Sequence, residues 1–213
     1  MTKTKNKTYV LVECAILLAM ATLLSFFPKF EGLWPNGGSI TLCSMLPVIV
    51  ISYRHGLGWG LLSGFAFSLL QLLTGGFYSA GTSIWMVLAT LLLDYVLPYT
   101  AIGLGGIFRG KLKNTAAEIS LGTVVALLIR YLCHVISGIV LWYDIGYATE
   151  MLTSEGFAFG LGAKVAASFS GTKLFVFYDL LYNGSYMIPE IILTTIGALL
   201  ISKIVTRDFS KNK

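Results

Sequence analysis

Charged residues are scarce in this sequence. They make up 12% of 213 residues against 56% hydrophobic, with a mean hydropathy of +0.80, whereas roughly a quarter of a soluble domain is charged. This excludes a soluble globular protein. At about 20 apolar residues per crossing, the length also leaves no room for a soluble catalytic domain beside the spans. Cysteine is rare too: Cys14, Cys43 and Cys133 all fall inside apolar stretches and none forms a C-x-x-C pair, so neither a disulfide framework nor a thiol metal or redox pair is expected. They read as small apolar packing residues. The sequence has no low-complexity segment and no internal repeat of the kind that marks many secondary transporters. The net charge of +5 comes from Lys and Arg in short clusters between apolar runs, so these residues report topology and no nucleic-acid partner is expected.

What the sequence does contain is six apolar runs, at about 9–27, 40–53, 57–73, 84–107, 119–142 and 174–205. The second is short and the sixth too long for one crossing. Asn183-Gly184 and Pro189 in the sixth predict either a helix break or a start outside the bilayer. The first run is expected to remain as a helix, because it contains Glu13, approaches spanning length and lacks the A-x-A site of a cleaved signal peptide. The expectation is an all-α integral membrane protein of the cell membrane, multi-pass, with residues 1–213 forming a single domain of six transmembrane helices in the lipid bilayer. Orientation follows from the basic residues near the run ends. Lys3, Lys5, Lys7, Arg54, Arg109, Lys111, Lys113, Lys203, Arg207, Lys211 and Lys213 fall on one side, and Lys29, Lys164 and Lys173 on the other. Both N and C termini are therefore expected to be cytoplasmic, with the long segment 143–172 and the Gly-rich segment 74–83 outside, where loops can form a lid.

Ionisable residues within a span cost at least about 2.5 kcal/mol each at its centre, so each calls for a partner or a function. Here they are Glu13, Asp94, Arg130, His134, Asp179 and Glu190. At 1.5 Å per residue, Asp94 lies about 15 Å and His134 about 12 Å below the outer ends of their runs, and Tyr178, Asp179 and Asn183 lie in the outer part of the sixth. His134, Gly138 and Trp142 are spaced by four and form a stripe, with Gly138 leaving space between an imidazole and an indole. The structural alternative is a buried Asp94–Arg130 salt bridge with His134 as an interhelical hydrogen-bonding residue. Trp85, Tyr95, Trp142, Tyr147, Tyr178 and Tyr182 crowd the same outer level, and an aromatic belt explains some of them. A carboxylate among Trp, Tyr and His also suits an aromatic organic cation, with rings to stack on and Asp94 as countercharge.

Other chemistry fails on particular residues. Gly105, Gly110 and Lys111 keep P-loop spacing, but Leu112 replaces the Ser or Thr that would hold magnesium and no buried strand precedes them, so ATP hydrolysis by this chain is not expected. Asp94 and Asp179 suggest an intramembrane aspartyl protease, yet no G-x-G-D sequence accompanies Asp94. Cys133 and His134 are adjacent and hence about 100° apart on a helix, poor geometry for a thiolate pair. His55 beside Arg54 reads as part of a solvated turn. The chain is expected to be no enzyme and to carry no catalytic residue, metal or cofactor.

Against this background three groups of residues stand out: Leu92-Leu93-Asp94-Tyr95; Arg130-Tyr131-Leu132-Cys133-His134 continuing to Gly138 and Trp142; and Tyr178 with Asn183-Gly184. Together they resemble the thiamine-specific members of a known family, the substrate-binding S components of energy-coupling-factor (ECF) transporters. Glu13-Cys14-Ala15-Ile16-Leu17-Leu18-Ala19 resembles that family's A-x-x-x-A contact, where small residues allow close helix approach. The resemblance implies high-affinity thiamine binding at the outer face, between the last three helices and under the loop joining the first two. It implies Asp94 facing the cation, Arg130 as the basic residue, His134 and Trp142 as ring contacts, and Tyr95, Tyr178 and Asn183 as polar contacts, with Trp34 as a lid residue. It further implies docking through Ala15 and Ala19 to a transmembrane coupling subunit that works with two ATPase subunits. Helical spacing leaves one choice open. Tyr178 and Asn183 differ by five residues, about 140°, whereas Asp179 and Asn183 share a face; either the helix unwinds at Asn183-Gly184 or Asp179 joins the site. Other readings are an S component for another flat vitamin or precursor, a self-sufficient small-molecule facilitator, or an intramembrane enzyme.

Overall fold

The computed structural model describes residues 7–31, 34–35, 37–155 and 157–210. Lys3, Lys5, Lys211 and Lys213, used above for orientation, lie outside the described residues, as does the side chain of Arg207. The apolar runs fold as helices α1 (Lys7–Phe26), α2 (Leu46–His55), α3 (Leu57–Gly75), α4 (Ile84–Thr90), α5 (Leu97–Ile102), α6 (Thr115–Leu141) and α9 (Gly171–Ser210), with two short helices, α7 (Ile145–Thr153) and α8 (Leu161–Ser168), before the last. Among the described residues five helical stretches are long and apolar enough to cross a bilayer: Lys7–Phe26, Leu57–Gly75, Ile84–Gly106, Thr115–Leu141 and Gly171–Val205. This is an all-α integral membrane protein.

The second run divides in two. Ile40–Thr41 (β2) pairs antiparallel with Lys29–Phe30 (β1), and only the part after it is helical. Ten residues make α2 about 15 Å long, half of a bilayer core. It is instead wrapped by the others: Val48, Ile49 and Ile51 are fully buried, and Pro47 opens the helix where a missing N–H is harmless.

Glycine allows the helices around α2 to converge. A Cβ on Gly60 of α3 would overlap the backbone of Gly103, and one on Gly106 that of Ser52. Ser52 Oγ donates to Gly103 O at 2.5 Å and accepts from Gly106 N at 2.9 Å, which binds α2 to the 3-10 turn Gly103–Gly106 that ends this stretch.

Between α4 and α5 the backbone forms a π turn, Leu91–Val96, in which Leu97 N–H reaches back to Leu92 O. Pro98 gives the physical reason: it has no N–H for the carbonyl of Asp94 four residues before it, and its ring crowds that carbonyl. Asp94 therefore sits on the widened turn of its helix.

The sixth run resolves the choice posed by its length through an early start. α9 begins at Gly171 and passes Asn183-Gly184 and Pro189 unbroken for 40 residues, about 60 Å. Its main partner is α6. Helices α1, α3 and α6 run from the end carrying Arg54 and Arg109 toward the opposite end, and α2, α4–α5 and α9 return.

At the basic end Glu13 meets Arg54 at 2.9 Å and His55 at 3.0 Å. The expected solvated turn is thus corrected, since the His55 side chain is only 1% exposed and serves as a partner for Glu13. The segment with P-loop spacing gives the Leu112 N–H to buried Glu118 at 3.0 Å, and Tyr53 donates to the same carboxylate at 2.6 Å.

Candidate ligand-binding site

At the end of the bundle opposite Arg54, the ends of α1, α3 and α6, the π turn and the first part of α9 enclose a cavity of about 460 Å³. Gly138 lines it too, and the absence of a side chain there makes room for the Asp179 carboxylate. Asp94, Tyr95, Arg130, His134, Trp142, Tyr178 and Asn183, all singled out from the sequence, line it.

Four of them form a connected line. Trp142 Nε1 donates to Asp94 Oδ2 at 3.0 Å, His134 Nδ1 faces Asp94 Oδ1 at 3.7 Å, and Arg130 Nε donates to His134 Nε2 at 3.4 Å. A guanidinium only donates, so Nε2 accepts and the neutral ring's proton sits on Nδ1, toward Asp94. The direct Asp94–Arg130 bridge is replaced by this relay, with His134 between the two charges. Arg130 also lies 4.4 Å from the centre of the Tyr99 ring, a cation–π distance. The spacing of four along α6 is what aligns Arg130, His134, Gly138 and Trp142.

The facing wall is α9. Asn183 Nδ2 donates to Asp179 Oδ1 at 2.9 Å, and Tyr186 Oη donates to Asn183 Oδ1 at 2.6 Å. Asp179 therefore joins the cavity without any unwinding. Tyr178 reaches it from the flank of the same helix, within an aromatic group that includes Phe157, Phe175 and Tyr182 at 5.6–6.0 Å. Tyr147, on α7 outside the long apolar helices, also lines the cavity, and burial pushes its phenol above the ordinary tyrosine range, so it stays neutral and able to donate.

Trp34 is placed differently from the other seven. It is buried, but behind the lining: its Nε1 donates to Ser185 Oγ at 2.7 Å and its ring meets Tyr186 edge-on at 5.8 Å. Tyr95 Oη accepts from Tyr78 N at 3.1 Å and so holds the Gly-rich segment 74–83. Glu190 is a lining residue to which the sequence reading gave no site role. It accepts from both the N–H and the hydroxyl of Thr41, which ties the first loop to α9. Its position seven residues after Asn183, on the same helical face, was the available signal. Ala15 and Ala19 are exposed on α1, while Val10, Cys14 and Ala21 face inward. Among the described residues no group of three His, Cys, Asp or Glu side chains is placed to hold a metal.

Comparison with known proteins places this geometry. The Thiamine transporter ThiT of Bacillus subtilis is 29% identical over 203 residues, 95% of each chain. The Thiamine transporter ThiT of Lacticaseibacillus paracasei is 27% identical over 90% of this chain and 86% of its own. The solved structure of ThiT from Listeria monocytogenes shares the fold, with a TM-score of 0.65 at 24% identity over 94% of this chain and 97% of that one. Residues 11–155 match the family described as Thiamine transporter protein (Thia_YuaJ). With most of the chain inside that match and its remainder supplying the facing wall of one polar, aromatic cavity, the protein belongs to the thiamine transporter (Thia_YuaJ) family.

Proposed function

We propose that this chain is the thiamine-binding S component of an ATP-driven ECF importer. It captures the vitamin at the outer face and docks, through the α1 face carrying Ala15 and Ala19, to a coupling subunit served by two ATPases. Its action is binding and not catalysis. The observation that carries the reading is the cavity itself: a carboxylate, an imidazole and an indole arranged in line on one wall, with tyrosines opposite, sized for a flat ligand of two rings. Thiamine is an aromatic cation, and Asp94 supplies its countercharge while Trp142 and the tyrosines supply ring faces. Asp94, Tyr95, Arg130, His134, Trp142, Tyr178 and Asn183 are the assigned site residues, and Trp34 seats the first loop on α9.

In this reading residues 1–213 form one membrane domain with six crossings, α2 and the loop before it completing the second, and both termini are cytoplasmic. Single cysteines introduced at the exposed positions Glu150 and Lys111 test the orientation: an impermeant reagent added to intact cells labels the first and spares the second. Labelling in the opposite sense overturns it. Mass spectrometry of the ligand retained through purification, followed by titration with thiamine, tests the substrate. Thiamine retained and bound tightly is the expected result, and accumulation into cells should require the coupling subunits. A purified chain that moves thiamine across vesicles unaided is a facilitator.

A further inference from the structure

Asn183 has no hydrogen left for a ligand. Its amide donates to the Asp179 carbonyl at 3.1 Å and to Asp179 Oδ1 at 2.9 Å, and its own oxygen takes the Tyr186 hydroxyl at 2.6 Å. An amide has two donor hydrogens, so both are committed inside α9. Asp179 is the opposite case. It is only 3% exposed and lines the cavity, and its Oδ2 has no hydrogen-bond partner among the described residues. The space it occupies is made by Gly138, where a Cβ would overlap the Asp179 carboxylate. A buried carboxylate oxygen without a donor is expensive. The residue that carries it is part of the cavity lining, so a ligand in the cavity is the nearest source of the missing donor once the carboxylate turns toward it.

We infer that Asp179 is a second ligand-contacting carboxylate, accepting a hydrogen bond from the amino-bearing ring of the bound vitamin, and that Asn183 is the positioning residue that fixes its orientation. The inference rests on the proposed thiamine reading. Thiamine makes two separable demands. Its quaternary thiazolium nitrogen carries no hydrogen and asks only for negative charge, whereas the exocyclic amine of its pyrimidine asks for a lone pair. Asp94 accepts from Trp142 Nε1 on one oxygen and has His134 Nδ1 3.7 Å from the other, which places its charge among the ring contacts. Asp179 offers a free lone pair. The cavity therefore assigns the cation to Asp94 and the amine to Asp179. It disfavours an analogue with a carbonyl oxygen in place of the amine, since two acceptors then face each other.

Asp179→Asn sharpens this into a test. Asn183 Nδ2 still needs an acceptor, so the new amide turns its oxygen toward Asn183 and its N–H₂ toward the ligand. Dissociation constants for thiamine and for oxythiamine, the analogue carrying the carbonyl, are measured on the purified full chain by fluorescence titration. The wild type should prefer thiamine by about 10- to 100-fold, the value of a hydrogen bond to a charged group. Asp179→Asn should weaken thiamine by a similar factor and shrink or reverse the preference. Asn183→Ala, which frees the Asp179 carboxylate to turn, should weaken thiamine and reduce the preference by less than Asp179→Asn does. If Asp179→Asn does not fold, Gly138→Ala displaces the same carboxylate and should erode the same preference. An unchanged preference in a folded Asp179→Asn chain overturns the inference while leaving thiamine binding intact. A wild type that binds neither ligand overturns the thiamine reading and this inference with it.

Discussion

The indole N–H of Trp142 and the carboxylate of Asp94 meet at 3.0 Å, joining the first residue beyond α6 to the π turn in the wall of the cavity. One bond thereby fixes the plane of an aromatic ring and the direction of a charge. Removing its two contributions separately gives a graded outcome. Trp142→Phe keeps a ring but leaves Asp94 Oδ2 without its donor, a loss of about 1 to 3 kcal/mol in thiamine affinity; Trp142→Ala loses the ring contact as well and should weaken binding further. Both variants should abolish most ligand-dependent quenching of tryptophan fluorescence, since the remaining indoles, Trp34, Trp59 and Trp85, do not line the cavity. Full quenching in Trp142→Phe would place the ring site elsewhere.

Asp94→Asn keeps the shape of the site and removes its charge. Truncating one partner of a desolvated charged pair costs about 2 to 5 kcal/mol, so thiamine affinity should fall by that amount. A neutral isostere with thiophene in place of thiazolium should lose less. Titration of both ligands decides the matter: equal losses would mean that Asp94 acts by holding His134 and Trp142 in place.

The first loop is seated on α9 by side chains distant in sequence. Trp34 donates to Ser185, Tyr182 donates to Gly37 O at 3.0 Å, and Thr41 donates to Glu190. Because Trp34 stands behind the lining, Trp34→Ala and Ser185→Ala should act on closure more than on contact. Stopped-flow release of thiamine should be faster by roughly threefold to tenfold, as expected for a lost hydrogen bond of about 1 kcal/mol, with association little changed. Unchanged release in both variants would show that this seat does not control exit.

These long-range seats mark the boundary of what the sequence conveyed. The stripe His134, Gly138 and Trp142 was readable because helical spacing alone aligns it, and Asp179 with Asn183 likewise, four residues apart on one helix. Asp94 was conspicuous because its cost in a span demands an explanation. Glu190 carried the same cost, but its meaning depended on Thr41, 149 positions earlier, and no periodicity links the two. Glu13 with His55 failed for the same reason, a turn residue becoming buried only once α1 packs beside it. The shortness of α2 was visible, yet its place inside a seam of glycines was not, because close backbone approach is a property of facing surfaces and not of either strand of sequence.

If α1 carries the docking face proposed above, transport and binding should be separable there. Ala15 and Ala19 lie four residues apart on one face, exposed among Leu11, Ile16 and Leu23, and their small side chains let a partner helix come near the backbone. Replacing both by Trp fills that approach with two indoles. Neither position lines the cavity, so thiamine affinity measured on the purified double variant should equal that of the wild type. Copurification with the coupling subunit should weaken, and uptake by cells expressing all subunits should fall at least about tenfold, the equivalent of 1.4 kcal/mol of docking free energy. Normal uptake would remove this face from the docking surface. Loss of ligand binding in a folded variant would instead make α1 a support of the pocket, whose lining includes Ser25 near the end of that helix.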